Sequence, residues 1–197
     1  MKITVITGSA RKNGTSNYMA DEFIRGAEES GHEVFRFDSA RKDVKHCLGC
    51  NACGMGTKPC IHKDDFVELR EHLLNSDVIV FVTPMYYFGM SSTLKKVIDR
   101  FYSIDSQIKS GNKKGILISV QHAPVDAVKD ALNNHYQAIL SWLNMENAGI
   151  INAIGIESVE HIKNTPYPKQ AYELGKSLQW KMNTILQFVI AMTAYDL

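Results

Sequence analysis

A polar segment near the start of the chain carries residue types that bind phosphate. It spans Gly8 to Asn17 and follows a short β-rich run, Ile3 to Thr7. Hydroxyl groups, a guanidinium and the free N–H groups at the start of a helix together suit a phosphate monoester. The candidate binding residues are Ser9, Arg11, Asn13, Gly14, Thr15, Ser16 and Asn17.

This segment matches neither of the common nucleotide-binding motifs. A Walker loop ends in Gly-Lys-Ser/Thr, and a dinucleotide loop spaces its glycines as G-x-G-x-x-G. Here Gly14 is followed directly by Thr15, and the preceding glycine is Gly8. The missing dinucleotide spacing disfavours FAD or NAD at this position. The alternative to a phosphate site is an ordinary polar turn between a strand and a helix, capped by Ser or Thr.

A second segment places three consecutive aromatic residues among turn-forming residues. It runs from Thr83 to Ser92, directly after the apolar run Val78 to Thr83. Flat apolar surface and backbone donors at the end of a strand are what an isoalloxazine ring requires. Packing against a neighbouring subunit is the alternative, and both can hold together. The candidate residues are Pro84, Met85, Tyr86, Tyr87, Phe88 and Gly89.

All four cysteines of the chain fall in one short segment with the pattern C-x-x-C-x-x-C-x6-C. Four thiolates at such spacing can ligate a [4Fe–4S] cluster or a structural zinc ion. Successive C-x-x-C intervals resemble a ferredoxin run more than the two separated pairs of a zinc site. Free thiols or a redox disulfide are the third alternative. The candidate ligands are Cys47, Cys50, Cys53 and Cys60.

Five β-rich runs and five stretches of helical spacing must position these segments. The predicted strands are Ile3–Thr7, Val34–Phe37, Val78–Thr83, Gly115–Val120 and Ala148–Ile156. The predicted helices are Asn17–Ser30, Asp64–Asn75, Ser91–Tyr102, Val125–Leu143 and Pro168–Thr193. This order predicts a doubly wound α/β fold: a five-stranded parallel sheet, order 2-1-3-4-5, between two layers of helices. In that order the loops after the first and third strands meet at one edge of the sheet.

The length of the chain and the residues that would begin and end its helices favour one domain over residues 1–197, with a cysteine-rich loop at 46–63. A chain of 197 residues supports one full core. Gly31 is placed to end the first helix, Ser91 or Ser92 to cap the third, and Asp64 or Asp65 to cap the second. The apolar stretch from Ile185 to Ala194 is too short for a membrane helix and predicts a buried C-terminal helix.

Together the motifs resemble the NADPH-dependent FMN reductase branch of the flavodoxin-like superfamily. They are Gly8–Ser16, Thr83–Ser91 and the pattern Leu94-Lys95-x-x-x-Asp99-Arg100. The resemblance implies a three-layer flavodoxin-like fold, with the FMN phosphate on the first loop and the flavin ring against the second. It further implies NAD(P)H as electron donor and a homodimer or homotetramer. A third flavin loop would lie at Ser119–Pro124, with Gln121 and His122 as its candidate residues.

The cysteine motif carries a second resemblance. Followed by Lys63-Asp64-Asp65-Phe66, it is similar to the iron–sulfur flavoproteins. That resemblance implies an electron relay between a [4Fe–4S] cluster and FMN, with a ferredoxin-type donor. Relatives without a cluster also carry this segment, in which case the cysteines stay as thiols.

Charge and composition limit the classes of partner. The 22 basic residues nearly balance the 21 acidic ones, giving a net charge of +1. A nucleic-acid or membrane-surface protein usually carries a clear basic excess, so we expect neither partner. The chain shows no export signal, which predicts a cytoplasmic protein whose cysteines do not form structural disulfides.

The sequence leaves three classes of function open. The first is an FMN-dependent oxidoreductase, either an electron relay with an iron–sulfur cluster or an NAD(P)H-dependent FMN, quinone or nitro reductase without one. The second is a non-enzymatic electron carrier, which usually has a strongly acidic surface, unlike this chain. The third is a zinc-bearing interaction protein that has lost the flavin. We find no carboxylate pair or Ser-His-Asp pattern that would indicate hydrolysis.

Overall fold

A five-stranded parallel sheet forms the centre of the protein, in a computed structural model that describes residues 1–179. Its strands are β1 (Lys2–Thr7), β2 (Glu33–Asp38), β3 (Val78–Tyr86), β5 (Lys114–Val120) and β6 (Glu146–Ala153). They lie in the order β2-β1-β3-β5-β6. A further strand of two residues, β4 (Gly89–Met90), pairs antiparallel with the end of β3. The parallel part therefore has the predicted 2-1-3-4-5 order, and β4 is an unpredicted addition.

Helices cover both faces of the sheet. They are α1 (Thr15–Glu29), α2 (Phe66–Asn75), α3 (Ser92–Asp99), α4 (Asp105–Lys109), α5 (Asp126–Trp142), α6 (Val159–Lys163) and α7 (Tyr167–Lys176). Successive residues of β3 point to opposite faces, as the two-residue repeat of a strand requires. Val80 belongs to the buried cluster that contains Phe23 of α1, whereas Phe81 belongs to the cluster that contains Leu94 of α3 and Tyr136 of α5. The predicted three-layer α/β fold is confirmed.

The predicted helix boundaries are partly confirmed. Gly31 has a φ of +78° just after α1, and Ser91 caps α3 by accepting a hydrogen bond from the N–H of Leu94. Before α2, the Asp64 carboxylate accepts from the N–H of Phe66 at 3.2 Å. None of the helices within residues 1–179 is long and apolar enough to cross a membrane.

Three element predictions need correction or completion. The stretch Ser91–Tyr102 is not one helix, because α3 ends at Asp99 and a tighter turn, Arg100–Ile104, leads into α4. The strand predicted at Ala148–Ile156 lies earlier in the chain, as β6. The last predicted helix, Pro168–Thr193, begins as α7 but is interrupted, because α7 ends at Lys176 and residues 177–179 are not helical. The apolar stretch from Ile185 lies outside the described residues.

Candidate functional site

A cleft of about 500 Å³ opens at the carboxyl ends of β1, β3 and β5. In doubly wound sheets this edge is where ligands bind, because the strand order reverses there. Most of the predicted site residues meet in it. The cleft is lined by Ser9, Arg11, Asn13, Gly14, Thr15, Ser16, Pro84, Met85, Tyr86, Val120, His122, Ile156, Glu157, Ser158 and Val159.

The first loop presents unsatisfied donors to the cleft. No side chain caps α1, whose first turn holds no acidic residue, and its first backbone bond runs from Tyr18 N–H to the oxygen of Gly14. The N–H groups of the preceding turn therefore lack helical acceptors. The exposed Arg11 guanidinium has no acidic or carbonyl partner within residues 1–179. A cation beside a free helix N-terminus favours an anion such as phosphate.

Asn17 shapes this loop but does not line the cleft. Its Nδ2 atom donates to the carbonyl oxygens of Arg11, at 2.7 Å, and Lys12, at 3.2 Å. The side chain is buried, and the two bonds hold the loop in its turn. The sequence identified a residue that matters to the loop, but it supports the backbone from behind.

The second loop is a tight hairpin, and only its first arm reaches the cleft. Met85 pairs with Met90 and Tyr86 with Gly89, so that Tyr87 and Phe88 form a two-residue turn. Both have left-handed backbone conformations, with φ of +44° and +65°. Tyr87 is 98% exposed, and neither turn residue lines the cleft. Of the candidate residues on this loop, Pro84, Met85 and Tyr86 line the cleft, whereas Tyr87, Phe88 and Gly89 lie outside its lining.

Hydrogen bonds connect the first two loops directly. The carbonyl oxygen of Gly8 accepts from the hydroxyls of Ser91, at 2.8 Å, and Thr93, at 2.7 Å, at the start of α3. The N–H of Gly8 donates to the oxygen of Val82 at 2.8 Å. A Cβ atom on Gly8 would lie only 2.3 Å from the Ser91 hydroxyl, so no larger residue fits without displacing α3. The cleft is built on a rigid contact between β1, β3 and α3.

The loop after β5 and a segment after β6 line the remaining side of the cleft. His122 lines the cleft, whereas the buried Gln121 donates through Nε2 to the oxygens of Ala123, at 2.7 Å, and Val125, at 3.1 Å. Sequence reasoning missed the segment 156–159, which follows β6 and contributes Glu157 as an acidic group. Its only signal was its position after a strand of the same parallel sheet, since it carries no motif.

The cysteine segment forms a second site between β2 and α2. Cys47, Cys50, Cys53 and Cys60 are all unpaired and line one small cavity, together with His62, Arg100 and Tyr102. The cavity has a volume of about 20 Å³, room for about one water molecule. Five backbone positions here adopt left-handed conformations, and three of them are glycines: Gly49, Asn51, Gly54, Met55 and Gly56.

A buried ion pair anchors the base of this segment. Arg100 donates to the Asp64 carboxylate at 2.7 Å and to the carbonyl oxygen of Lys45 at 2.9 Å, and both charged side chains are 1% exposed. The carboxylate also accepts from the N–H of Lys45 at 2.9 Å. Burial alone would raise the pKa of Asp64, but the hydrogen bonds from Arg100 and Lys45 outweigh it and lower that pKa below its ordinary value.

Comparison with known proteins decides the family. The family model described as NADPH-dependent FMN reductase matches residues 1–153, most of the chain. The chain belongs to this family. An FMN-dependent NADH:quinone oxidoreductase of Pelagibacter ubique is 30% identical over 175 residues, which cover 82% of this chain and 88% of that protein.

Other curated relatives resemble shorter parts of the chain. An iron–sulfur flavoprotein of Archaeoglobus fulgidus is 34% identical over 100 residues, 51% of this chain and 45% of that protein. The chain thus spans about half the length of several curated relatives that it matches. Among solved structures, an NAD(P)H:quinone oxidoreductase from Methanothermobacter marburgensis has a TM-score of 0.70 at 14% identity, covering 92% and 97% of the two chains. That likeness supports the flavodoxin-like fold.

The residues of the cleft fit the cofactor of the FMN reductase family. The volume of the cleft lies within the range of small-molecule sites, about 300–1,000 Å³. A Cβ atom on Gly14 would meet the Arg11 oxygen at 3.1 Å, a tight contact that a side chain could make only if the turn shifted slightly. An unpartnered guanidinium lies on the same loop. The cleft therefore offers one end that binds anions and one apolar wall, the latter from Pro84 and Met85.

The four thiols of the cysteine segment suit an iron–sulfur cluster, but the cavity that they line is too small to hold one. Among residues 1–179, no three His, Cys, Asp or Glu side chains lie close enough to share a single metal ion. Four thiols nevertheless border one cavity, and Cys50 and Leu48 are exposed. A cubane cluster would require the exposed arm of the segment to move outwards.

Proposed function

We propose that this protein is an FMN-dependent oxidoreductase that passes electrons from NAD(P)H to a small acceptor of the quinone class. The observation that carries the proposal is the cleft, where a free cation and a free helix N-terminus lie at one end of a pocket of flavin size. The family model and the similar quinone oxidoreductase support the same reaction class.

In this proposal the first loop holds the FMN phosphate. Arg11 supplies a charge-assisted bond, and the hydroxyls of Ser9, Thr15 and Ser16 and the N–H groups of the α1 first turn supply further donors. Asn13 lines the same end. The backbone and side chains of Pro84, Met85 and Tyr86 form one wall for the ring, and His122 lies on the opposite side, near segment 156–159.

The chemistry of the reaction belongs to the cofactor. When bound, FMN supplies a ring that accepts a hydride or single electrons and gives them to a second substrate. The first loop would bind its phosphate, and Pro84, Met85 and Tyr86 would hold its ring against the β3 hairpin. No general acid or base is required of the side chains that line the cleft.

Titration and turnover test this proposal in two steps. FMN is added to the purified protein and its binding followed by flavin fluorescence, after which NADH or NADPH is added with a quinone. We expect stoichiometric FMN binding and acceptor-dependent oxidation of the nicotinamide. Binding of FMN without any nicotinamide oxidation would instead favour the electron-carrier function, and no binding at all would contradict both.

A second candidate function adds an iron–sulfur cluster to the same flavin site. It is favoured by the four unpaired thiols that border one cavity and by the similar iron–sulfur flavoproteins. In this version a ferredoxin-type carrier delivers electrons by way of Cys47, Cys50, Cys53 and Cys60. Anaerobic purification should then give about four iron and four sulfide per chain. One equivalent of zinc would favour a zinc site, and neither metal would leave a plain reductase.

We also propose that the protein forms a homodimer or homotetramer in the cytoplasm. Exposed apolar side chains lie on the hairpin turn and on α5, at Tyr87, Phe88 and Trp142. Single exposed apolar residues are common, but three large aromatic side chains favour a contact. Light scattering coupled to size exclusion measures the mass, and a monomer at all concentrations would contradict this assignment.

A further inference from the structure

Two buried nitrogen atoms beside the cysteine cavity have no hydrogen-bond partner within residues 1–179. They are Nε of Arg100 and Nε2 of His62, and both residues line the cavity. Buried polar groups are nearly always paired, because an unpaired one loses its hydration without compensation. Two such atoms around one cavity therefore indicate an acceptor that the protein itself does not provide.

The structural role of Arg100 does not explain its free Nε–H group. The two terminal nitrogens already engage Asp64, and Nη1 also donates to Lys45, which is sufficient to close the base of the segment. The guanidinium further lies 4.8 Å from the centre of the Phe66 ring. Because these contacts fix the guanidinium, its Nε–H group cannot turn towards another partner.

The chemistry of the cavity indicates what the acceptor is. Its other polar lining consists mainly of four thiols, which bind metals as thiolates and so accumulate negative charge. Sulfur atoms of such a group accept N–H hydrogen bonds, and these bonds are among the factors that set its potential. His62 can donate from Nε2 in the tautomer that carries its proton there.

We infer that Arg100 and His62 donate N–H hydrogen bonds to the sulfur atoms of an iron–sulfur cluster held by the four cysteines, and so raise its reduction potential. The inference rests on the cluster version of the proposed function. The reduced cluster carries one more negative charge than the oxidised cluster, so donors stabilise the reduced form more strongly. Removing a donor therefore lowers the potential.

The test compares Arg100→Lys with the wild-type protein, both reconstituted anaerobically with iron and sulfide. Lysine keeps the positive charge beside Asp64 but has no Nε–H group in that position. The potentials of the cluster and of the bound FMN are measured in one redox titration, by EPR and visible absorbance. We expect the cluster to bind its electron about tenfold less favourably, a decrease of about 59 mV for one electron, with an unchanged FMN potential.

Two further variants separate this role from a structural one. Arg36→Lys alters a partly exposed arginine that is paired with Asp38 outside the cavity, and both potentials should stay constant. His62→Leu removes the second donor without touching the ion pair, and it should lower the cluster potential even if Arg100→Lys does not fold.

The outcomes also separate this inference from the cluster itself. Normal iron and sulfide content with an unchanged cluster potential in both Arg100→Lys and His62→Leu would overturn the donor role alone, as expected if a water molecule fills the cavity. A wild-type protein that takes up no cluster would overturn both the inference and the cluster version of the function. The flavin reductase function would survive either result.

Discussion

The flavin cleft and the cysteine segment are built in opposite ways. The cleft lies at the edge of the sheet, and bonds between distant parts of the chain, such as those to Gly8, fix its loops. The cysteine segment is a long loop whose internal backbone hydrogen bonds join residues close in sequence, for example from the N–H of Gly56 to the oxygen of Cys53. Its distant contacts are few: Tyr102 bonds to Asn51 at 3.0 Å, and Arg100 closes the base.

The difference concerns what each site needs before it can bind. The cleft already has the volume and the free donors for its ligand, so binding there requires little rearrangement. The cysteine cavity is close to the volume of one water molecule, although its thiols are gathered. Since ordering a loop costs conformational entropy, occupancy of the second site should stabilise the segment more than FMN stabilises its loops.

The largest test of this contrast is Asp64→Asn. It leaves the buried Arg100 charge without its counter-ion, and we expect the free energy of unfolding to fall by about 3–5 kcal/mol. FMN affinity should change little, because the pair anchors the cysteine segment and not the cleft. Urea unfolding and an FMN titration measure the two quantities.

Acid provides a second measurement on the same pair. The pKa of Asp64 is lowered in the folded protein, so its contribution to stability is fully present above the unfolded pKa, about 4, and is lost as the pH falls through the folded value. Asp64→Asn should lack this part of the acid loss. Glu68→Gln, which breaks the exposed pair with Lys42, is the control and should cost under about 1 kcal/mol. If Asp64→Asn lowered the FMN affinity as much as it lowered the stability, the cysteine segment and the cleft would be coupled.

Arg11→Ala tests the cleft in the same way. Loss of a charge-assisted contact should weaken FMN binding by about 1.5–3 kcal/mol, roughly 10- to 150-fold. Riboflavin, which has no phosphate, should bind the variant and the wild type equally. Lys12→Ala is the matched control, because this neighbouring cation does not line the cleft. If riboflavin loses as much affinity as FMN, Arg11 does not contact the phosphate.

Sequence patterns identified the two regions unequally. The strand order and the first loop follow from local signals: apolar runs, a glycine turn and hydroxyls before a helix. Tertiary packing decides the rest. The inward turn of Asn17 and Gln121 depends on which backbone oxygens the folded loops leave free. The sequence did not indicate that Arg100 is buried, because an arginine side chain is nearly always exposed unless it is paired.

The hairpin and the fourth segment of the cleft show the same limit. A two-residue turn with positive φ at both positions normally holds Asn-Gly, and Tyr87-Phe88 is an unusual occupant. Nothing local predicts β4. Segment 156–159 has no chemical motif and reaches the cleft only because β6 ends at the same sheet edge.

Ser91→Ala tests whether the connection between the loops makes the cleft rigid. The hydroxyl caps α3 and donates to Gly8, so its loss should cost about 0.5–2 kcal/mol of stability and weaken FMN binding in parallel. The neighbouring Ser92→Ala, at an exposed position, is the control. A loss of stability without any loss of FMN affinity would mean that the first loop keeps its shape without α3.

The smallest expected effect is a gain in stability, from Tyr87→Asn at the tip of the hairpin. Asparagine tolerates the left-handed conformation better than tyrosine, and Tyr87 is 98% exposed, so little packing is lost. We expect the free energy of unfolding to rise by up to about 1 kcal/mol. Tyr86→Asn, in the extended arm, should give no gain. Left-handed positions of the cysteine segment are mostly glycines, so a gain at Tyr87 would locate backbone strain in the hairpin turn next to the cleft and not in the cysteine segment. An unchanged or lower stability would show instead that the tyrosine ring makes a stabilising contact in solution.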